Sequence, residues 1–141
     1  MKKLSFLAIL LSGVLAACGQ KLKEAQVPAA VKSAFAAKYP ATAATWEKED
    51  GNYEVNFSKD GKTMSAVIDK KGTILETETD IAISELPAPV SAYVKQHYKD
   101  AKIKAASKIV KSNGETVYEA LVNHTDVLFD KNGKFLKEVK D

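Results

Sequence analysis

A pattern that occurs twice along the chain constrains its fold more than any other feature. Three blocks of the first half recur in the same order in the second half, at offsets of 59, 65 and 61 positions. The matched pairs begin at Val27 and Leu86, at Tyr53 and Tyr118, and at Ala66 and Val127. Three matches in one order predict a tandem repeat of about 60 residues, with copies at 27–82 and 83–141.

Each copy opens with the pattern of a short amphipathic helix. Val31, Phe35 and Tyr39 recur at the i, i+4, i+8 spacing of one helix face, and the same spacing begins again at Val90. Pro28 precedes the first of these patterns, where a missing backbone N–H is tolerated. We therefore expect a helix of about three turns at the start of each copy.

Strands joined by tight turns are expected after each helix. Tyr53, Val55 and Phe57 alternate with polar residues, which is typical of a half-buried strand. Hairpin turn signals recur through both copies, at Asp50-Gly51, Asp60-Gly61, Asn113-Gly114 and Asn132-Gly133. Connections this short require antiparallel neighbours, so the sequence predicts an α+β fold made of two tandem helix-plus-four-strand units.

These motifs together resemble the PepSY-like proteins related to the β-lactamase-inhibitor protein fold. The resemblance covers residues 26–140 and rests on the Pro-containing helix openings, Tyr39-Pro40, Tyr53-Glu54-Val55, and the Asp-x-x-Gly hairpins at Asp69 and Asp130. It implies one sheet with the helices on one face and the other face free. It also implies inhibitor-like or chaperone-like binding of a protein or peptide rather than catalysis.

The N-terminal segment has the layout of an envelope-targeting signal. Residues 4–17 are an apolar stretch too short to span a bilayer, and they follow two lysines. Leu15-Ala16-Ala17-Cys18 resembles the bacterial lipobox, which predicts a signal peptide at 1–17, a lipid on Cys18 and a tether over 18–26. The alternative is a plain signal peptide with an incidental Cys. Gly19 replaces the Asp that marks inner-membrane retention in enterobacterial lipoproteins, so we expect a periplasm-facing protein held at the outer membrane.

Composition argues against several classes of function. All 21 basic residues are Lys, and a chain without Arg lacks the planar fork favoured for phosphate and base recognition, so we expect no nucleic-acid partner. Without residues 1–17 the chain has 19 Lys and 18 acids. One Cys and two distant His do not form a metal site or a nucleophile relay. We therefore expect no catalytic residue, no metal and no cofactor.

Adjacent apolar residues in the predicted strands indicate where a partner could bind. Val67-Ile68 and Leu128-Phe129 must point to opposite faces of the sheet, and helices can cover only one of them. An exposed apolar strip that includes Leu121 is therefore expected on the free face, unless the two units or a dimer cover it.

The candidate partner-binding residues are out of phase with the predicted core face. They are Glu54, Asn56, Glu119, Leu121 and Asn123. An alternative function is the binding of a small ligand or a cation by Lys, Asp and His124 at one end of the sheet.

Overall fold

Residues 19–140, which the computed structural model describes, form nine strands and two α-helices. The predicted signal peptide at 1–17 and the predicted lipid site Cys18 lie outside these residues. The helices are α1 (Ala29–Lys38) and α2 (Ala88–His97), each preceded by a single 3-10 turn, at Glu24–Gln26 and Ile83–Glu85. The strands are β1 (Gln20–Leu22), β2 (Ala44–Glu49), β3 (Asn52–Lys59), β4 (Lys62–Ile68), β5 (Ile74–Ile81), β6 (Ala105–Lys111), β7 (Thr116–Val122), β8 (Thr125–Asp130) and β9 (Phe135–Lys140).

The strands form one antiparallel sheet whose spatial order is the order of the sequence. A helix followed by four strands occurs twice along the chain, as the sequence predicts. The sheet nevertheless continues through the junction, because β5 pairs with β6 over six residue pairs from Glu76–Lys111 to Ile81–Ala106. One nine-stranded sheet therefore runs through both halves.

Strand β1 is the element that the sequence does not predict. The expected tether over 18–26 contains three residues that pair with β2, with Leu22 opposite Trp46. Leu22 also packs against the first hydrophobic core. Three residues are too few to display the alternation of a strand, so this contact is visible only in the fold. Within residues 19–140, neither helix has the length and hydropathy needed to cross a bilayer.

Both helices pack on the same face of the sheet. Phe35 of α1 contacts the edge of the Trp46 ring at a centroid distance of 5.5 Å and that of Phe57 at 5.1 Å. Val94 of α2 belongs to a second core cluster with Phe129, which is fully buried. Strand pairing places the residues of these clusters on one side of the sheet, in rows such as Trp46–Val55–Ala66 and Ala106–Ala120–Val127.

Glycine turns bring two hairpins against the starts of the helices. Gly72 has a φ of +88°, and a Cβ there would lie 2.7 Å from the backbone oxygen of Ala30 in α1. The Asp69 carboxylate accepts hydrogen bonds from the backbone N–H groups of Lys71 and Thr73, which fixes this turn. The second half repeats the arrangement with Gly133 against α2 and Asp130 in the turn.

Candidate binding face

The face of the sheet opposite the helices, called the open face below, is defined by strand register. Cross-strand neighbours point to the same side of a sheet, so each row of paired residues shares one face. Three rows across the middle of the open face are Glu47–Glu54–Val67–Glu76–Lys111, Asn56–Ser65–Glu78–Ile109–Val117 and Asp80–Ser107–Glu119–Leu128–Lys137.

Carboxylates are concentrated on this face by a simple alternation in β5. The sequence Glu76-Thr77-Glu78-Thr79-Asp80 directs its three acids to the open face and its threonines to the helix side. Residues of β2 and β3 add Glu47 and Glu54 to the same side. The half of the face built from β2 to β5 is therefore acidic.

Several polar side chains of the open face are buried although the helices pack on the other side. Glu54 is 5% exposed, Glu78 8% and Ser107 5%. Each stands in the middle of a row whose neighbours lie about 5 Å away on both sides, and those neighbours exclude water from it. The open face therefore holds carboxyl groups in a partly desolvated environment.

Burial and mutual repulsion weaken the acidity of these carboxyls. Burial, then the negative charges of Glu47, Glu49 and Glu76, raise the pKa of Glu54 to about 7. Burial also raises the pKa of Glu78 well above its usual range, and the nearby Ser107 hydroxyl offsets only part of this effect.

Glu76 differs from these two groups in having cations near it. Burial raises its pKa, while the charges of Lys111 and Lys137 act in the opposite direction. Lys111 and Lys137 therefore place positive charge near Glu76, at one side of the acidic region.

A polar atom of the open face, the side-chain oxygen of Asn56, is buried without a hydrogen-bond partner among residues 19–140. Groups of this kind are uncommon in folded proteins and often mark a place where a ligand or water binds. The buried hydroxyl of Ser107 interacts instead with the Glu78 carboxyl and lowers its pKa.

The apolar residues of the open face differ from the expected strip. Ile109, Val117 and Leu128 form a small buried cluster instead of an exposed surface, with the half-buried Val139 packed against it. Ile109 and Val117 pair in one row, Leu128 lies in the next row, and the three side chains cover one another, so they do not form the expected exposed apolar strip. Leu121 remains half-buried.

The five predicted binding residues do not form one group. Glu54 and Asn56 lie on β3, whereas Glu119 and Leu121 lie on β7, about 19 Å away across four strand spacings. All four belong to the open face, but Glu54 and Glu119 are buried. Asn123 lies in the β7–β8 turn, with a φ of +50°, rather than on a strand of the face.

Glu76, Glu78, Asp80 and Ser107 were missed as candidate residues. The alternation of acids in β5 was the available signal for the first three. Nothing in the sequence indicates that Ser107 is buried beside Glu78, because that proximity depends on the pairing of β5 with β6.

The histidines lie away from the acidic half of the open face. The His97 ring stacks on Tyr93 at a centroid distance of 3.9 Å, on α2. His124 occupies the β7–β8 turn with a φ of +61°. Across residues 19–140, no three His, Cys, Asp or Glu side chains are arranged to hold a metal ion.

Solved structures share this architecture. A protein from Bacteroides eggerthii described among "putative periplasmic proteins" is 18% identical, with a TM-score of 0.72 over 80% of this chain and 88% of its own. A DUF2874 family protein from Bacteroides ovatus is 22% identical, with a TM-score of 0.70 over 79% and 86%. A BLIP-like protein from Bacteroides fragilis is 25% identical, with a TM-score of 0.62 over 79% and 85%.

Sequence comparison identifies the family as well as the fold. No curated protein sequence matches the chain significantly. The family described as "Putative beta-lactamase-inhibitor-like, PepSY-like" matches twice, over residues 16–76 and 51–137, and the two overlapping matches cover most of the chain. The chain belongs to this PepSY-like family.

Proposed function

We propose that this protein binds another protein or a peptide through its open face and catalyses no reaction. The observation that carries the proposal is the set of buried polar groups on a face that the helices leave uncovered, above all the unpartnered side-chain oxygen of Asn56. The inhibitor-like description of the family supports the same conclusion.

Energetics favour a partner at these positions. A buried polar group without a hydrogen bond destabilises a fold by about 1–3 kcal/mol. A partner that donates a hydrogen bond to the side-chain oxygen of Asn56 would recover part of that energy on binding. The open face of the free protein therefore carries a polar group whose hydrogen bonding a bound partner would complete.

The edges of the sheet are less suited to the same role. Strand β1 is only three residues long, and β9 carries Lys137 and Lys140. Short strands and lysines are the usual means by which proteins prevent an edge from pairing with another chain. The face is therefore a better candidate than either edge.

Site-specific photo-crosslinking in the native cell envelope tests the proposal. A crosslinking amino acid would replace Asn56 or Leu121 on the open face, and Ala36, exposed on α1, would serve as the matched control. We expect one partner to be captured from both face positions and not from Ala36. Capture from Ala36 alone would place the interface on the helices and contradict the proposal.

We also propose that a lipid on Cys18 holds the protein at the outer membrane, facing the periplasm. The lipobox-like sequence supports the anchor, and the description of the Bacteroides eggerthii protein supports the compartment. Only Gly19 separates Cys18 from β1, so the lipid would keep the β1 edge of the sheet close to the bilayer.

Replacement of Cys18 tests the anchor. A C18S variant should incorporate no labelled fatty acid and should leave the membrane fraction, whereas the unmodified protein should sediment with outer-membrane vesicles. A C18S variant that still carries the label would exclude Cys18 as the attachment site.

We further propose that the two halves are copies of one helix-plus-four-strand unit. Both halves have an irregularity in strand register at matching positions, Val67/Ile68 and Leu128/Phe129, which are 61 residues apart like the sequence blocks around them. An experimental structure in which the halves fail to superimpose would contradict the duplication.

A further inference from the structure

We propose that the partner is a basic protein segment and that one of its lysine or arginine side chains enters the open face between Glu54 and Glu78. This inference rests on the proposed function and adds the chemistry of the partner. It follows from the charges, the buried polar groups and the apolar side chain of Val67 in this part of the face.

Among residues 19–140, no lysine forms an ion pair with Glu54 or Glu78, and only Glu76 is affected by the charges of Lys111 and Lys137. Lys111 lies beside Glu76 in register, but its ammonium group is 3.0 Å from Glu115 at the β6–β7 turn. Lys62 is also turned elsewhere, 3.7 Å from Glu85. A cation supplied by a partner would therefore meet carboxyls that are short of positive charge.

Asn56 provides an independent reason to expect a ligand here. Its side-chain oxygen is buried without a hydrogen-bond partner among residues 19–140, and it lies in the same row as Glu78. This oxygen can accept a hydrogen bond from an ammonium or a guanidinium group. The buried hydroxyl of Ser107, on the strand next to Glu78, acts on the Glu78 carboxyl.

The apolar side chain between the acids favours a lysine or arginine over a bare cation. Val67 stands between Glu54 and Glu76 in one row and is half-buried. The methylene groups of lysine or arginine pack well on such a side chain while the charged head reaches the carboxylates. A metal ion fits less well, because the described residues contain no suitable group of three ligands.

The breadth of the acidic region favours a protein segment over a small amine. The acids of β2 to β5 extend across three strand spacings, or about 14 Å. An extended segment can cover that width and place apolar residues toward the half-buried Leu121 as well.

Binding of a cation should depend on pH, because the carboxyls must be ionised to attract it. The pKa of Glu54 is about 7, so this group is mostly protonated at pH 6 and mostly ionised at pH 8. If binding requires the ionised form, the affinity should rise about tenfold between these values. Other charged groups facing this position are Glu47 and Glu49 from β2, Glu76 and Asp80 from β5, Lys111 from β6, Glu119 from β7 and Lys137 from β9.

Calorimetric titration with a blocked lysine-rich peptide tests the inference. The proteins compared would be the unmodified chain, Glu54→Gln, Glu78→Gln and the control Glu24→Gln, which removes the same charge from an exposed position before α1. We expect the peptide to bind about tenfold more tightly at pH 8 than at pH 6. We expect Glu54→Gln and Glu78→Gln to weaken binding at pH 8 at least tenfold, while Glu24→Gln leaves it within about twofold.

Other outcomes would overturn the inference. Equal loss in the control variant would show a general charge effect, and equal binding of the acetyl-lysine form of the peptide would exclude recognition of a cation. Calcium that binds in a Glu78-dependent manner, without any peptide binding, would identify a metal site instead. If the peptide does not bind but crosslinking from Asn56 still captures a partner, the proposed function stands and only the basic character of the partner is wrong.

Discussion

Glu54 and Glu76 stand on either side of Val67 in one cross-strand row of the open face. The two carboxyl-bearing strands are two spacings apart, about 10 Å, so the acids flank an apolar centre without touching. The charge of Glu76 nevertheless helps to raise the pKa of Glu54, after burial and the charges of Glu47 and Glu49. At neutral pH the ionised carboxylates on such a surface repel one another when no partner is bound. Binding of a cation with an apolar stem would reduce that repulsion.

The raised pKa of Glu54 makes the stability of the free protein depend on pH. The folded state retains a proton on Glu54 up to about pH 7, whereas an unfolded chain loses it near the ordinary value of 4.5. The folded state therefore binds more protons over this range, and stability falls as pH rises through it. Glu54→Gln should raise the free energy of unfolding by about 2 kcal/mol more at pH 8 than at pH 5.

Urea denaturation at both pH values checks this prediction. Glu24→Gln is the matched control, since Glu24 is exposed, and it should change stability equally at the two pH values. A Glu54→Gln protein with the same pH dependence as the unmodified chain would show that Glu54 ionises normally.

The close approach of Gly72 to α1 gives a second prediction. Gly72→Ala would introduce an unfavourable backbone angle and a Cβ 2.7 Å from the Ala30 oxygen, which cannot move without shifting the helix. Gly61→Ala has a similar φ of +76° but nothing within 4 Å of the added Cβ. Gly61→Ala should cost about 1 kcal/mol, and Gly72→Ala about 2–4 kcal/mol because overpacking is added.

Thermal unfolding of the two glycine variants provides the comparison. A larger fall in Tm for Gly72→Ala is expected. Equal falls in Tm would mean that the hairpin at Gly72 does not pack closely against α1. The same reasoning about Gly133 and α2 would then fail as well.

The second core should depend strongly on Phe129. This side chain is fully buried beneath α2 and contacts the edge of the Tyr93 ring at a centroid distance of 5.4 Å. Phe129→Ala should lower the free energy of unfolding by about 3–5 kcal/mol, because a large cavity remains. Leu136→Ala on β9 is the control, since Leu136 is 46% exposed, and it should change stability by less than about 0.5 kcal/mol. Comparable losses in the two variants would contradict this placement of the core.

Local patterns in the sequence predicted the elements well but not the character of the open face. The i, i+4 spacing from Val31 and from Val90 identified both helices, and the Asp-Gly and Asn-Gly pairs identified turns. Such signals depend on neighbours along the chain, so they can be found without the fold. Leu22 could not be placed in a strand in this way, because β1 exists only through its pairing with β2.

Burial on the open face could not be predicted because it arises between strands. Alternation places Glu78 and Leu128 on that face, but alternation does not say which side chains flank them. Pairing of β5 with β6 brings Ser107 beside Glu78, and pairing of β6, β7 and β8 encloses Leu128 with Ile109 and Val117. The buried acids and the missing apolar strip have this common cause.

Mapping of backbone amide shifts by NMR on addition of the lysine-rich peptide at pH 8 tests the central claim most directly. We predict that the largest changes occur at Glu54, Val67, Glu78 and Ser107, on four adjacent strands, and that the amides of α1 and α2 change little. Changes confined to the helices or to β9 would contradict binding at the open face.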